Sequence, residues 1–231
     1  HRSVSCQFTT RFRRSRIKKE IMYQVYKDKI ALAQSVAKKI IVLSNKKPNG
    51  FTIALAGGST PRILYEILSK TNGINWPSWH VFFGDERFVP LNHPDSNYHM
   101  AEESLLSHVS IPKNQIHPIN TKSVTPELAA HEYENEICNI NFDLILYGLG
   151  SDGHTLSLFP GKKALTETNK LVTWSTPGIL PPPVDRITFT TSVIPHQAWF
   201  LVAGEDKANI VNQVINNAPS TSRPASLITS T

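Results

Sequence analysis

The stretch FDLILYGLGSDGHTLSLFPG, residues 142–161, combines a continuous apolar run with a glycine-rich turn. Runs such as Leu144–Tyr147 typically form strands buried on both faces of a parallel sheet. Gly148, Gly150 and Gly153 follow, and glycine lets a backbone turn tightly and approach a ligand closely. Because open α/β sheets bind ligands at the carboxyl ends of their strands, this turn is predicted to form part of a binding site.

Two polar side chains of the turn, Asp152 and His154, are our candidates for catalysis. A histidine exchanges a proton near neutral pH, and a carboxylate two residues earlier can orient it or stabilise its charge. The alternative for Asp152 is a turn-forming residue between glycines, a position that suits aspartate without any chemistry.

The rest of the chain alternates apolar strands with amphipathic helices. Spacing predicts a first helix from Ile21 to Ile41 and later helices around residues 61–68, 98–106, 126–137 and 205–215. Strands are predicted at residues 51–56, 79–83, 171–174, 186–190 and 198–202. This alternation indicates one doubly wound α/β domain over residues 20–231, with a mostly parallel sheet flanked by helices.

Two further loops follow predicted strands. The turn Gly57-Gly58-Ser59-Thr60-Pro61 leads into a helix, which Ser59 or Thr60 is expected to cap. Unpaired N–H groups at such a helix start bind phosphate, although an ordinary strand-to-helix connection uses similar residues.

The second loop, Gly84-Asp85-Glu86-Arg87, is either a solvated loop or the rim of an active site, and its position at a strand end favours the rim.

Composition restricts the function classes. Of 24 basic residues, seven lie in residues 1–19, which leaves 17 basic against 18 acidic side chains in a nearly neutral body. We therefore expect no nucleic-acid partner, and an anionic substrate would be attracted by a local site. Residues 1–19 are interpreted as a basic, disordered leader, with an organelle transit peptide as the alternative.

Cysteine, histidine and apolar patterns give three further expectations. The chain has two cysteines, far apart, and its histidines lack metal-ligand spacing, so no disulfide scaffold or metal site is expected. A reducing, cytoplasmic compartment fits this cysteine usage. No apolar run reaches the roughly 18 residues of a membrane span, so no membrane partner is expected.

Three segments in order resemble the 6-phosphogluconolactonase family, the sugar-phosphate lactone hydrolases of the pentose phosphate pathway. They are ALAGGSTPRILYEIL, VFFGDERFVPLNHPDSNYHMAEESLL and the opening stretch, with weaker matches at PPPVDRITFT and AGEDKA. The resemblance covers about residues 25–231 and implies a modified Rossmann-like sheet. The related glucosamine-6-phosphate deaminases typically have I-A-F-N-E-P after the histidine and D-E-Y for Asp85-Glu86-Arg87, so both differences favour the lactonases.

The resemblance implies hydrolysis of 6-phospho-D-glucono-1,5-lactone to 6-phosphogluconate without a metal or an organic cofactor. His154 would be the general base for water and then the proton donor to the leaving oxygen, with Asp152 orienting it. Arg87 is the third catalytic candidate, because it could polarise the lactone carbonyl. Residues expected to bind the substrate or its phosphate are Gly57, Gly58, Ser59, Thr60, Asp85, Asn97, Gly150, Arg186 and Lys207.

Several alternatives stay open at this point. Arg87, Arg186 and Lys207 can each hold phosphate or stabilise an oxyanion, and the latter two can equally be solvated surface residues. Ser157 is expected in a helical turn, and without a G-x-S-x-G elbow it is a weak nucleophile candidate. A sugar-phosphate isomerase or deaminase, or a catalytically silent binding module, would share the fold; a monomer is expected.

Two departures from the family pattern concern Leu156 and the chain end. Leu156 stands where a small residue is usual, and is expected to reshape the packing of the turn. The sequence ends at Thr231, after Arg223-Pro224-Ala225-Ser226-Leu227, where the family normally continues, so a fragment or a diverged end is expected.

Overall fold

The structure is a computed structural model that describes residues 5–12 and 19–231. Its helices are α1 (Lys29–Asn45), α2 (Ser59–Ser69), α3 (Asn97–Ser104), α4 (Pro126–Ile137) and α5 (Ala208–Asn216). Its strands are β1 (Ser5–Phe12), β2 (Lys19–Tyr26), β3 (Phe51–Leu55), β4 (Trp79–Phe83), β5 (Asp85–Arg87), β6 (Leu144–Tyr147), β7 (Val172–Ser175), β8 (Arg186–Phe189) and β9 (Ala198–Ala203).

The main sheet has six strands in the order β2-β1-β9-β6-β3-β4. The four strands β9, β6, β3 and β4 are parallel, and β6 at their centre is buried along its whole length, as its apolar run predicts. This confirms the predicted α/β class. The parallel arrangement brings the carboxyl ends of four strands, and the loops that follow them, to one edge of the sheet.

The first two strands differ from the sequence prediction. The predicted helix over residues 21–41 begins only at Lys29, where the Asp28 side chain accepts a 2.7 Å hydrogen bond from the N–H of Ala31. Residues 19–26 form β2 instead, because Ile21 and Val25 also fit a two-residue period and β1 offers a pairing partner.

The leader also differs from expectation. We expected residues 1–19 to be disordered, whereas residues 5–12 form β1 between β2 and β9 and so cover the edge that β9 would otherwise expose. Residues 1–4 and 13–18 of the predicted leader lie outside the described residues.

A second, antiparallel sheet of three strands, in the order β5-β8-β7, was not predicted. Its strand β5 has only three residues, all of them charged, and resembles a loop in sequence. Pairing between β5 and β8 places Arg87 opposite Arg186. The small sheet therefore brings residues 85–87 and 186 to the same edge as the loops of the main sheet.

No helix within the described ranges, 5–12 and 19–231, has the length and apolar character that crossing a membrane requires.

Candidate active site

A cleft of about 310 Å³ opens at the carboxyl ends of the parallel strands. Ten of the residues expected at the site line it, namely Gly57, Gly58, Ser59, Thr60, Asp85, Arg87, Asn97, Gly150, His154 and Lys207. Arg186 lines a smaller adjoining cavity of about 60 Å³, together with Asp85, Arg87 and His154. The structure thus brings together residues that are up to 150 positions apart in sequence.

Asp152 and His154 form a hydrogen-bonded pair beside the cleft. His154 Nδ1 lies 2.6 Å from Asp152 Oδ1, and the backbone N–H of His154 donates to the same oxygen at 3.1 Å. Because Nδ1 must donate to a carboxylate, Nε2 is left as the nitrogen with a free lone pair in the neutral ring. The arrangement can therefore provide a base at Nε2.

The carboxyl of Asp152 has a pKa below its usual value. Burial alone raises this pKa, but the hydrogen bond from the His154 side chain and the charge of that side chain together outweigh the burial. A lowered carboxyl pKa means that folding favours the ionised form. Asp152 therefore contributes stability above its unfolded-state pKa, near 3.8, and that contribution is lost as the pH falls through the lower folded-state value.

We expect Asp152→Asn to lower the free energy of unfolding by about 1 kcal/mol at neutral pH, since a charged hydrogen bond becomes a neutral one. The difference from wild type should shrink as the pH falls below about 4, because Asp152 is protonated first in the unfolded chain and, at still lower pH, in the folded protein. Urea unfolding of wild type and Asp152→Asn at about pH 7 and about pH 3 measures this difference in the free energy of unfolding. A difference that stays constant over this range would contradict the ionised pair.

Gly58 lies at the start of α2 and lines another part of the cleft. It is the N-cap residue with a φ of 108°, a conformation that favours glycine, and it makes no side-chain cap. The prediction that Ser59 or Thr60 caps this helix is therefore wrong, because both already belong to its first turn. Ser59 and Thr60 in the first turn of α2 line the cleft, as does Lys207, and backbone N–H groups at a helix start lack intrahelical partners, which suits an anion.

Asp85 is held by two neighbours from different segments. Its Oδ2 accepts a 2.7 Å hydrogen bond from the buried hydroxyl of Ser157, and its carbonyl accepts one of 2.8 Å from Asn97 Nδ2. Asn97 in turn lies against Gly57, where a methyl group would come within 1.9 Å of Asn97 Oδ1. These contacts connect three loops: the turn that carries His154, the junction between β4 and β5, and the turn at Gly57 and Gly58.

Ser157 and Glu86 were not predicted as site residues. Ser157 lies in a tight turn closed by a bridge between Thr155 and Leu158, so the expected helical turn is wrong.

Glu86 is fully buried, and its carboxylate accepts hydrogen bonds from the backbone N–H groups of Arg87, Asn97 and Tyr98. Burial raises the pKa of Glu86, and these bonds with that from Ser96 partly oppose the rise. The sequence places Glu86 in a loop that is either solvated or at the rim of an active site, and only the three-dimensional contacts show that its carboxylate is buried and holds the loop in place.

The three candidate cations occupy different surroundings. Arg87 donates from Nη1 to the carbonyl of Asp95 and lines both cavities. Arg186 is only 4% exposed and donates to the carbonyls of Pro182 and Val184, so the surface interpretation of this residue is wrong. Burial, with the nearby charge of Arg87, lowers the pKa of Arg186. The Lys207 side chain is 20% exposed and lies 3.6 Å from a carboxylate oxygen of Asp206.

Apolar residues complete the wall shared by the two cavities. Leu156, Leu180 and Pro181 line both. Leu156 has a φ of 53°, the only positive value of a non-glycine residue within the described ranges, and its Cδ2 packs against Gly84. This left-handed conformation costs about 1–2 kcal/mol in a residue with a Cβ, and the effect of Leu156 on the packing of the turn stays a prediction.

The sequence model of one protein family, described as glucosamine-6-phosphate isomerases/6-phosphogluconolactonase, matches residues 27–231. The chain belongs to this family. A 6-phosphogluconolactonase of Synechocystis is 44% identical over 174 residues, which cover 71% of this chain and 70% of that relative. A probable chloroplastic 6-phosphogluconolactonase 3 of rice, Oryza sativa subsp. indica, is 38% identical over 213 residues, and this match spans 83% of the chain but only 64% of the rice protein.

A solved structure agrees with this membership of the family. The 6-phosphogluconolactonase from Trypanosoma cruzi has a TM-score of 0.75 and 28% identity, over 88% of this chain and 90% of that one. The fold class and the family predicted from sequence are both confirmed, and relatives with this name support the assignment of the chain as an enzyme.

Proposed function

We propose that this protein hydrolyses 6-phospho-D-glucono-1,5-lactone to 6-phosphogluconate, with His154 as the general base and without a metal ion. The observation that carries the proposal is that His154, hydrogen-bonded to Asp152, lines the same cleft as the start of α2 and Lys207. A base and an anion site thus lie within one cleft large enough for a sugar phosphate. The names of the relatives support the same reaction.

In this mechanism the reacting water transfers a proton to His154 Nε2 as its oxygen attacks the lactone carbonyl. Asp152 holds the ring through Nδ1 and stabilises the imidazolium that forms. Collapse of the tetrahedral intermediate breaks the bond to the ring oxygen, and His154 returns the proton to that oxygen. The lactone is thereby opened to an alcohol and a carboxylic acid, the acid loses its proton to solvent and becomes a carboxylate, and the neutral histidine is regenerated.

The remaining groups divide between the two ends of the substrate. The start of α2 and Lys207 line the larger cleft but not the small cavity, so we assign the phosphate to them. Arg87 shares both cavities with His154, so we assign it to the carbonyl oxygen, where positive charge stabilises the developing oxyanion. Arg186 adds positive charge behind Arg87, opposite it in the β5–β8 pair.

The proposal is tested by measuring hydrolysis of freshly made 6-phosphogluconolactone, and of gluconolactone without the phosphate, above their spontaneous rates. Wild type should strongly prefer the phosphorylated lactone. Lys207→Ala should raise KM for that substrate by about tenfold or more while changing hydrolysis of the other little, since it removes a charged contact to phosphate. A folded wild type that releases ammonia from glucosamine 6-phosphate, and does not open the lactone, would overturn the proposal.

The same assay, repeated after treatment with a chelator, tests the metal-free mechanism. Within the part of the chain that the structure describes, no three His, Cys, Asp or Glu side chains are grouped to hold a metal ion. We therefore expect full activity after chelation. Activity that is lost on chelation and restored by a divalent cation would show that water is activated by a metal and not by His154 alone.

A further inference from the structure

A segment near the end of the sequence contacts the backbone of the turn that carries His154. We call residues 220–227 the C-terminal strap. The backbone N–H of Ala225 in the strap donates a 3.0 Å hydrogen bond to the carbonyl of Gly153, the residue between Asp152 and His154. Ala225 is completely buried at this contact. The strap therefore bonds directly to the backbone of the turn that carries the base.

The strap also limits how far the turn can move. Gly153 has a φ of 86°, and a methyl group built there would lie 3.1 Å from Arg223 Cα and 3.2 Å from Ile210 Cδ1 of α5. The turn is thus packed between the strap and α5, the helix that follows Lys207. Backward movement of Gly153 would require the strap or the helix to move as well.

One buried hydroxyl fixes the shape of the strap. Ser226 Oγ donates to the carbonyl of Arg223 at 2.7 Å and accepts the N–H of Ser220 at 2.9 Å, and Ser226 is 1% exposed. The N–H of Arg223 donates to the carbonyl of Ser220 at 2.9 Å and closes a turn within the strap. Ile228, directly after the strap, is buried in the core and anchors it.

We propose that the strap is a positioning element for His154, with Ser226 as the residue that keeps it in shape. The proposal rests on the proposed function of His154 as the base. Within the described residues, no strap residue lines either the cleft or the adjoining cavity. The strap therefore acts on the imidazole through Gly153 and not on the substrate, which predicts an effect on kcat and little effect on KM.

The test compares Ser226→Ala with Ser222→Ala. Ser222 belongs to the same strap but is exposed, and its hydroxyl hydrogen-bonds with Ser220 Oγ and the Arg223 side chain. Well below the unfolding temperature, Ser226→Ala should lower kcat for the lactone by about tenfold with KM unchanged, because small displacements of a catalytic group cost rate steeply. Ser222→Ala should match wild type. Equal kcat values for all three folded proteins would overturn the proposal.

A second readout does not depend on the substrate. In histidine-labelled protein, the imidazole proton shared by His154 and Asp152 should give a distinct downfield NMR signal in wild type and Ser222→Ala, and a shifted or broadened one in Ser226→Ala. If wild type does not open the lactone, the proposed function fails while this signal still decides the role of the strap. An unchanged signal in Ser226→Ala overturns that role. Should Ser226→Ala not fold, Ser226→Cys, with a weaker donor and acceptor of similar size, replaces it.

Discussion

His154→Ala is expected to fold normally and to lose lactone hydrolysis by a factor of about 10²–10⁴, the usual contribution of a positioned general base. The side chain is partly exposed at the cleft, and within residues 5–12 and 19–231 its ring makes one hydrogen bond, to Asp152. Removal of the imidazole therefore leaves the core intact while it removes the base. Initial rates above spontaneous hydrolysis, with circular dichroism as the check on folding, measure the effect.

His131→Ala provides the matched control for this experiment. His131 is an exposed histidine on α4, and its ring contacts Asn135 on the same helix. Its loss should leave kcat and KM at wild-type values. If His154→Ala kept wild-type activity, or if both variants lost activity equally, His154 would not be the base and the mechanism proposed here would be wrong.

The parts of the site that follow buried strands could be predicted from the sequence. An apolar run followed by glycines, as at Leu144–Tyr147, indicates both a central strand and a close approach of the backbone to a ligand. Parallel strands share one carboxyl edge, so the loops after β3, β4 and β6 had to meet there. This reasoning found His154, Asp85 and the turn at Gly58 without any contact information.

The parts that depend on long-range contacts could not be predicted. The burial of Glu86 depends on N–H donors from residues 97 and 98, and the role of Ser157 depends on a partner 72 positions away. Arg186 is buried because β8 pairs with β5, a strand too short and too charged to show a periodic pattern. Strand β2 was assigned to a helix because Ile21 and Val25 fit both periods, and only the pairing with β1 decides between them.

Gly150 determines whether the hydrogen-bonded pair of His154 and Asp152 can form. A methyl group at this position would lie 2.1 Å from His154 Nδ1 and 2.5 Å from Asp152 Oδ1, the two atoms joined in the pair. The backbone of the turn is held in place, since the N–H of Gly150 donates to the carbonyl of His154 at 2.8 Å and its own carbonyl accepts the N–H of Gly153. The two side chains, whose ends can rotate, must therefore move apart.

Gly150→Ala is accordingly expected to lower kcat by about 10²-fold, since misplacement of a catalytic group by about 1 Å has an effect of this size. The φ of Gly150 is not in the left-handed region, so backbone strain in this variant should be small.

Gly73→Ala is the control for strain. Gly73 has a φ of 80° with open space around it, so this variant should lose about 1–2 kcal/mol of stability and keep its kcat. Together the two variants separate stability from activity. Gly73→Ala should lose stability and keep its activity, whereas Gly150→Ala should stay folded and lose activity. Wild-type kcat in Gly150→Ala would show that the Asp152–His154 bond is not needed for the reaction.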